Sequence, residues 1–179
     1  QVLCGMLLSG ALPLQACART SSDSVGGFVI WADRTPTLTR AEVVPHLAQM
    51  LGGWVAERMV YGEEGVSSGS SSDLARASAM ALDLVKENGF GTSRIFQTEH
   101  PEAPGRGFRT TLSDTEVQAR TWIGEAEVLA IRTLQEERER FDRVVAALVA
   151  QGSLNGAQIK ALMVGEEAEP SMAHPLRVA

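Results

Sequence analysis

The sequence predicts a mainly helical, α+β domain that carries a small β-hairpin near its N-terminus. Hydrophobic residues make up 44% of the 179 residues and aromatic residues only 5%, and this composition favours packed helices over a β-sandwich. Long segments with apolar residues at helical spacing dominate, whereas short segments near the N-terminus have the alternation of strands. The chain is long enough for one domain with its own core.

The N-terminal segment predicts a short buried helix followed by two strands. Val2 to Leu12 is the helix, and Pro13 ends it because a proline ring disrupts a helix interior. Leu14 to Ser21 and Gly26 to Ala32 are then strands that can pair as a hairpin. The apolar segment lacks the basic region of a signal peptide and is too short to be a membrane span.

Further helices are predicted along the rest of the chain. Thr39 and Glu42 have the spacing of a capping box at the start of the next helix. Gly52 and Gly53, in the middle of that helix, indicate that another backbone approaches it closely. A Ser-rich loop follows, and Ser70 is predicted to cap a helix that extends to about Asn88.

The C-terminal half is predicted to contain one long and one short helix. The long helix extends from Thr115 to Gln151, and its charged stretch, residues 135–140, is expected to face solvent. The short helix extends from Leu154 to Val164. Residues 165–179 are acidic and proline-containing and are predicted to be a disordered tail, so the domain is expected to cover residues 1–164.

Composition excludes several kinds of function. The formal net charge is -6 and the pI about 5.1, and no basic patch suits nucleic acid or an anionic lipid surface. Cys4 and Cys17 cannot form a tetrahedral zinc site alone and are expected to be reduced, buried thiols. His46, His100 and His174 are not spaced as a pair on one helix face, so each is expected to be structural or solvated.

Two carboxylates are candidates for a functional site. Asp73 lies in the first turn of the helix that Ser70 precedes, where a carboxylate ordinarily stabilises the helix dipole by about 0.3–1 kcal/mol. Glu57 lies on a helix with apolar neighbours, so it is either buried or turned to solvent. Spacing alone leaves the structural role open for both residues.

The stretch from Thr39 to Gly91 resembles the peptidase domain of the FtsH-type ATP-dependent zinc metalloproteases. That family has a helix ending LxGRxAEE, a loop of small residues, and then SxDLxxAT followed by YG. The matching segments here are Leu51–Arg58 (LGGWVAER), Ser72–Ser78 (SDLARAS) and Asn88–Gly91 (NGFG). The resemblance extends over about residues 1–164, and the first two segments are specific in combination.

The resemblance implies a zinc-peptidase site in which Asp73 is the third zinc ligand. The other two ligands and the general base would be the His, His and Glu of an HExxH motif, which leaves the fourth zinc position open for water. Glu57 is a candidate for a supporting position beside the site. The expected strand for substrate addition comprises Gly26, Gly27, Phe28, Val29, Ile30 and Trp31.

The same resemblance implies cofactors and partners for a longer protein. These are Zn²⁺, ATP with Mg²⁺ at an ATPase module, protein or peptide substrates, and a hexameric ring. The expected location is the cytoplasm, or the cytoplasmic face of the inner membrane if the longer protein is anchored. Membrane contact would then come only through segments outside this chain.

The chain departs from the family pattern at its most important motif. No HExxH is present in the sequence, and the motif is expected directly before Gln1, so that the chain is a fragment without catalytic residues of its own. A degenerate homologue that begins here is the alternative. Trp54 and Arg58 stand where the family favours Arg and Glu, on a helix surface that could contact another subunit.

These observations predict the C-terminal part of an ATP-dependent zinc metalloendopeptidase for protein quality control, inactive as this fragment. One alternative is a non-catalytic oligomerisation or adaptor module that keeps the peptidase shape. The other is an unrelated helical bundle, which would be favoured if Asp73 pointed to solvent, far from the first helix.

Overall fold

The computed structural model describes residues 1–18, 27–32, 37–92 and 112–166, with side chains in the last segment from Asp114 onward. The helices are α1 (Val2–Leu8), α2 (Val43–Tyr61), α3 (Ser71–Lys86), α4 (Leu112–Glu136), α5 (Arg138–Gln151) and α6 (Gly156–Val164). The strands are β1 (Pro13–Cys17), β2 (Phe28–Trp31) and β3 (Ser153–Asn155). Short 3₁₀ turns occur at Arg40–Glu42, Glu63–Gly65 and Ser68–Ser70. The predicted mainly helical α+β fold is confirmed.

Helix α2 is the centre of the core and packs against α1, α3 and α4. Its buried stripe includes Leu47 and Leu51, which are 0% exposed. The capping box predicted at its start is confirmed, because the backbone N–H of Thr39 donates to Glu42 Oε2 at 2.8 Å. The intervening turn Arg40–Glu42 is 3₁₀, so the regular α-helix begins at Val43.

The strands form an antiparallel sheet in the order β2-β1-β3. The predicted hairpin of the first two strands is confirmed, with Cys17 paired to Phe28. The third strand was not predicted, since the sequence indicated helix from Leu154. Its three residues are too few to show a period, and Asn155 caps α6 by accepting from the N–H of Gln158 at 2.9 Å.

The prediction of one long helix over residues 115–151 is wrong. The helix ends at Glu136, and α5 begins at Arg138 after Glu137 adopts φ -104° and ψ 29°. Neither Gly nor Pro stands at the break, so the sequence has no signal for it. The new direction brings Phe141 and Val144 of α5 to the wall of the groove described below.

The ends of the chain differ in part from the prediction. Helix α1 ends at Leu8 rather than Leu12, because Gly10 adopts φ +63° and turns the chain toward β1. Residues 93–111, most of the predicted loop after α3, and residues 167–179, most of the predicted tail, lie outside the described part of the chain. Among the described helices, none has the length and apolar character needed to cross a membrane.

Candidate functional site

A groove of about 580 Å³ lies where the start of α1, the middle of α2, the first turns of α3, the sheet and α5 meet. Its polar lining includes Gln1, His46, Gln49, Ser72, Asp73 and Arg76. Its apolar lining includes Phe28, Val29, Trp31, Leu134, Phe141, Val144, Val145 and Leu148. The groove therefore combines a small charged region with a large apolar surface, as a site for a flexible chain with apolar side chains would.

Asp73 lies in the first turn of α3 and faces the start of α1. Its Oδ2 accepts a hydrogen bond from Nε2 of Gln1, and the same Nε2 lies 3.5 Å from the carbonyl oxygen of Met50 on α2. Three helices thus converge on one half-buried carboxylate. This placement argues against the unrelated bundle, which would have left Asp73 in solvent far from α1.

Gly52 and Gly53 make this convergence possible. A Cβ at Gly53 would lie 3.1 Å from Asp73 Oδ2, and one at Gly52 would lie 3.0 Å from the backbone nitrogen of Gln1. Contacts this short are tighter than ordinary van der Waals contact, so a side chain at either position would push its neighbour away by a few tenths of an ångström. The close approach that the glycine pair predicted is therefore confirmed, and it occurs at the candidate site.

Burial controls the protonation of the groups beside Asp73. It lowers the pKa of the Gln1 amino group, and the negative charges of Cys4 and Asp73 oppose that shift. Burial also raises the pKa of the Cys4 thiol, whose side chain is 0% exposed. Both groups are therefore biased toward their neutral forms.

Glu57 supports the loop before α3 and does not line the groove. Hydrogen bonds from Ser67, and more weakly from Ser70, lower the pKa of Glu57, while partial burial opposes that shift. These serines belong to the segment that leads directly into the first turn of α3. Glu57 therefore acts on the position of that turn through the loop.

Strand β2 forms one side of the groove. Gly27, Phe28, Val29 and Trp31 line it, whereas Ile30 does not and is 44% exposed. In the described sheet β2 is an edge strand, since it pairs only with β1. Gly26, the first residue of the predicted substrate strand, lies outside the described residues.

Several groove residues were not predicted from the sequence to belong to the site, and two of them, Cys17 and His46, were assigned structural roles. Arg76 follows Asp73 by one turn of α3, Cys17 lies at the end of β1, and His46 lies on α2. The spacing of Arg76 from Asp73 was a usable signal, but the other two reach the groove only through tertiary packing. Neither Cys4 nor Cys17 is in a disulfide, and His100 and His174 lie outside the described residues.

The residues present do not fit a zinc ion by themselves. A catalytic zinc site uses three protein ligands and leaves one position open. Within residues 1–18, 27–32, 37–92 and 112–166, no group of three or more His, Cys, Asp or Glu side chains can hold a metal ion. Asp73 is instead satisfied by a neutral amide donor.

Trp54 and Arg58, the two residues of α2 that differ from the family pattern, contact each other, and Arg58 also contacts the neighbouring helix α4. The guanidinium of Arg58 lies 5.4 Å from the centre of the Trp54 ring, a cation–π distance. The same guanidinium forms ion pairs with Glu63 and with Glu127 of α4. The unusual residue pair thus has partners within this chain and joins α2 to α4.

Comparison with known proteins gives a consistent result. The family model described as peptidase family M41 matches residues 2–162. The ATP-dependent zinc metalloprotease FtsH 3 of Sphaerobacter thermophilus is 37% identical over 148 residues, which are 82% of this chain and 29% of that protein. The ATP-dependent zinc metalloprotease FtsH of Methylibium petroleiphilum is 36% identical over 141 residues, 70% of this chain and 22% of that protein.

A more distant relative covers more of the chain. The ATP-dependent zinc metalloprotease YME1 homolog of Schistosoma mansoni is 25% identical over 174 residues, 94% of this chain and 26% of that protein. In all three comparisons the chain spans less than a third of the length of its relative.

Proposed function

This chain belongs to peptidase family M41, and from that premise we propose that it forms the substrate-binding part of an ATP-dependent zinc endopeptidase. In this proposal Asp73 is the third zinc ligand of the complete centre. The two imidazole ligands and the general base come from an HExxH motif outside this chain. The chain by itself is therefore inactive.

The observation that carries the proposal is the position of Asp73. It faces the N-terminal end of α1 from the first turn of α3, beside two glycines at which a Cβ would make contacts of only 3.0 and 3.1 Å. A ligand pair on an upstream continuation of α1 would meet this carboxylate from one side. The described groups alone do not form a metal site.

The groove supports the binding of an extended peptide. The free edge of β2 offers backbone N–H and C=O groups to an added strand. Side chains of such a strand alternate between its two faces, so every second one is directed to the same side. Phe28, Phe141 and Val144 on the groove wall favour large apolar side chains there.

In the wider proposal, ATP dependence follows the names of the relatives, and the remaining parts follow the family resemblance. ATP with Mg²⁺ at a separate module, a hexameric ring, and a place in the cytoplasm or on the cytoplasmic face of the inner membrane belong to the longer protein. Its substrates are unfolded or membrane-associated proteins. Glu57 holds the Ser67–Ser70 loop and through it the first turn of α3.

Peptidase assays on two chains test this proposal. This chain with added zinc is expected to give no chelator-sensitive turnover of an apolar peptide. A chain extended upstream through HExxH is expected to be active, and Asp73→Asn in it loses bound zinc and activity together. Chelator-sensitive turnover by the short chain contradicts its inactivity, and zinc retained by Asp73→Asn removes Asp73 from the site.

A second candidate function is a non-catalytic peptide-binding adaptor that keeps the peptidase shape. The contact between Gln1 and Asp73 favours it, because the amide satisfies the carboxylate without a metal. An adaptor binds a fluorescent apolar peptide but gives no turnover even when the upstream segment is present. Turnover by the extended chain excludes this candidate.

A further inference from the structure

We propose that position 1 is the metal-ligand position of α1 and that Gln1 fills it with an amide which holds Asp73 in place of a metal. The inference rests on the proposed role of Asp73 as a ligand. It departs from the expectation that both imidazole positions precede residue 1. It replaces the part of the proposed function that takes both imidazoles from outside this chain. It therefore favours the adaptor candidate over the active endopeptidase, since a centre with Gln1 at a ligand position lacks one imidazole.

The first argument is which residue of α1 meets Asp73. The side chain of Gln1 donates directly to Asp73 Oδ2. Cys4, one turn later on the same face of α1, contacts the backbone of α2 instead, with its Sγ 3.1 Å from where a Cβ of Gly52 would lie. The Cys4 side chain is fully buried against the core. Position 1 is therefore the last position of this face that can reach the carboxylate.

The second argument is the reach of a ligand pair on a helix. Two imidazoles on one face are spaced i and i+4, which separates them by about one turn, or 5.4 Å. Zinc lies only about 2.0–2.2 Å from each nitrogen or oxygen ligand. If the second imidazole of the pair stood a full turn before position 1, both imidazoles would lie about 5.4 Å further along the helix axis from Asp73 than a pair that ends at position 1. The pair that fits has its second member at position 1.

The third argument is that α1 has no freedom to slide and correct the register. A Cβ at Gly52 would lie 3.0 Å from the backbone nitrogen of Gln1, and one at Gly53 would lie 3.1 Å from Asp73 Oδ2, both closer than ordinary van der Waals contact. The amide of Gln1 also reaches toward the carbonyl of Met50. The backbones of α1 and α2 are thus already in contact at this point, and the packed interface sets which residue faces Asp73.

Glutamine is a poor substitute for the missing imidazole. Its amide nitrogen is a donor without a lone pair for a metal, and here it is directed at the carboxylate. Zinc sites in proteins use Cys, His, Asp and Glu. The contact therefore occupies a lone pair of Asp73 and also keeps α1 and α3 together without a metal.

Cobalt(II) titration of four variants tests the inference, because visible absorption by bound Co²⁺ reports on ligand number without any activity. Gln1→His is expected to bind Co²⁺ at least about tenfold more tightly than the natural chain. The gain disappears in the double variant Gln1→His/Asp73→Asn. Gln1→Ala, which removes the amide without adding a ligand, and Ser72→His, which places an imidazole elsewhere on the groove, give no gain.

All chains are compared after acetylation of the N-terminal amino group, since a neutral amine is itself a metal ligand. Equal affinity of Gln1→His and the natural chain overturns the inference. The inference is also overturned if the tighter Co²⁺ binding persists in Gln1→His/Asp73→Asn, or if Ser72→His produces the same gain.

If Gln1→His fails to fold, Gln1→Glu is the second variant. Its carboxylate faces Asp73, so the midpoint of thermal unfolding falls at neutral pH and is restored by Co²⁺; an unchanged midpoint overturns the inference. Peptide binding to the groove is measured separately. If the natural chain binds no peptide while the Co²⁺ results are as expected, the proposed function is contradicted and the inference about position 1 is not.

Discussion

The two walls of the groove are built in different ways. The wall around Asp73 comes from neighbouring segments of the chain, the glycine pair of α2 and the first turn of α3, and one side chain of α1. The opposite wall joins β2 near the N-terminus to α5, more than a hundred residues later. The first wall carries the charge and the candidate chemistry, whereas the second is apolar and, in the proposed function, selects what binds. Variants of each wall should therefore affect different properties.

The largest effect is expected on the apolar wall. Phe141 is 9% exposed, and Phe141→Ala should lower the free energy of unfolding by about 3 kcal/mol, because it leaves a cavity between α5 and the sheet. Urea unfolding measures this loss. Val149→Ala on the same helix, at a side chain that is 64% exposed, is the control and should change stability by less than about 0.5 kcal/mol. Equal effects of the two variants would show that α5 does not pack as described.

A smaller effect is expected at the convergence of α1 and α2. Gly52→Ala should destabilise the chain by about 1–2 kcal/mol, because its Cβ would lie 3.0 Å from the backbone of Gln1. Gly124→Ala in α4 is the matched control, since nothing lies within 4 Å of its Cβ. That control should stabilise the chain by about 0.5–1 kcal/mol through helix propensity. Stabilisation by both variants would mean that α1 does not approach α2 at this glycine.

The smallest effect concerns pH and Glu57. Its pKa is lower in the folded chain than its ordinary value of 4.5, so its ionised form adds stability above that value. This stability is lost as the pH falls through the folded pKa. Because solvent screens the group, the contribution is at most about 0.5 kcal/mol.

Glu57→Gln should therefore flatten the fall in stability below pH 4.5, measured by urea unfolding over a pH series. Glu64→Gln, at an exposed residue of the following 3₁₀ turn, is the control. An unchanged pH profile in Glu57→Gln would show that Glu57 does not hold the serine loop.

The difference between the walls also explains what the sequence could predict. The glycine pair, the serine loop and Asp73 lie within some twenty residues, so local spacing was enough to place Asp73 in the first turn of a helix. The family resemblance then indicated that this turn faces the start of α1. The break at Glu137 has no Gly or Pro, and it arises from packing of α5 on the sheet. Strand β3 has only three residues and gains its pairing from β1. Long-range contacts of this kind leave no periodic signal, so the apolar wall and the direct contact of Gln1 were not predicted.

A double-mutant cycle between Gln1 and Asp73 tests the central claim most directly. Unfolding free energies are measured for the natural chain, Gln1→Ala, Asp73→Ala and the double variant. A hydrogen bond from an amide to a carboxylate predicts a coupling energy of about 1.5–3 kcal/mol. Additive effects, with a coupling below about 0.5 kcal/mol, would contradict the claim that Gln1 holds Asp73 at this site.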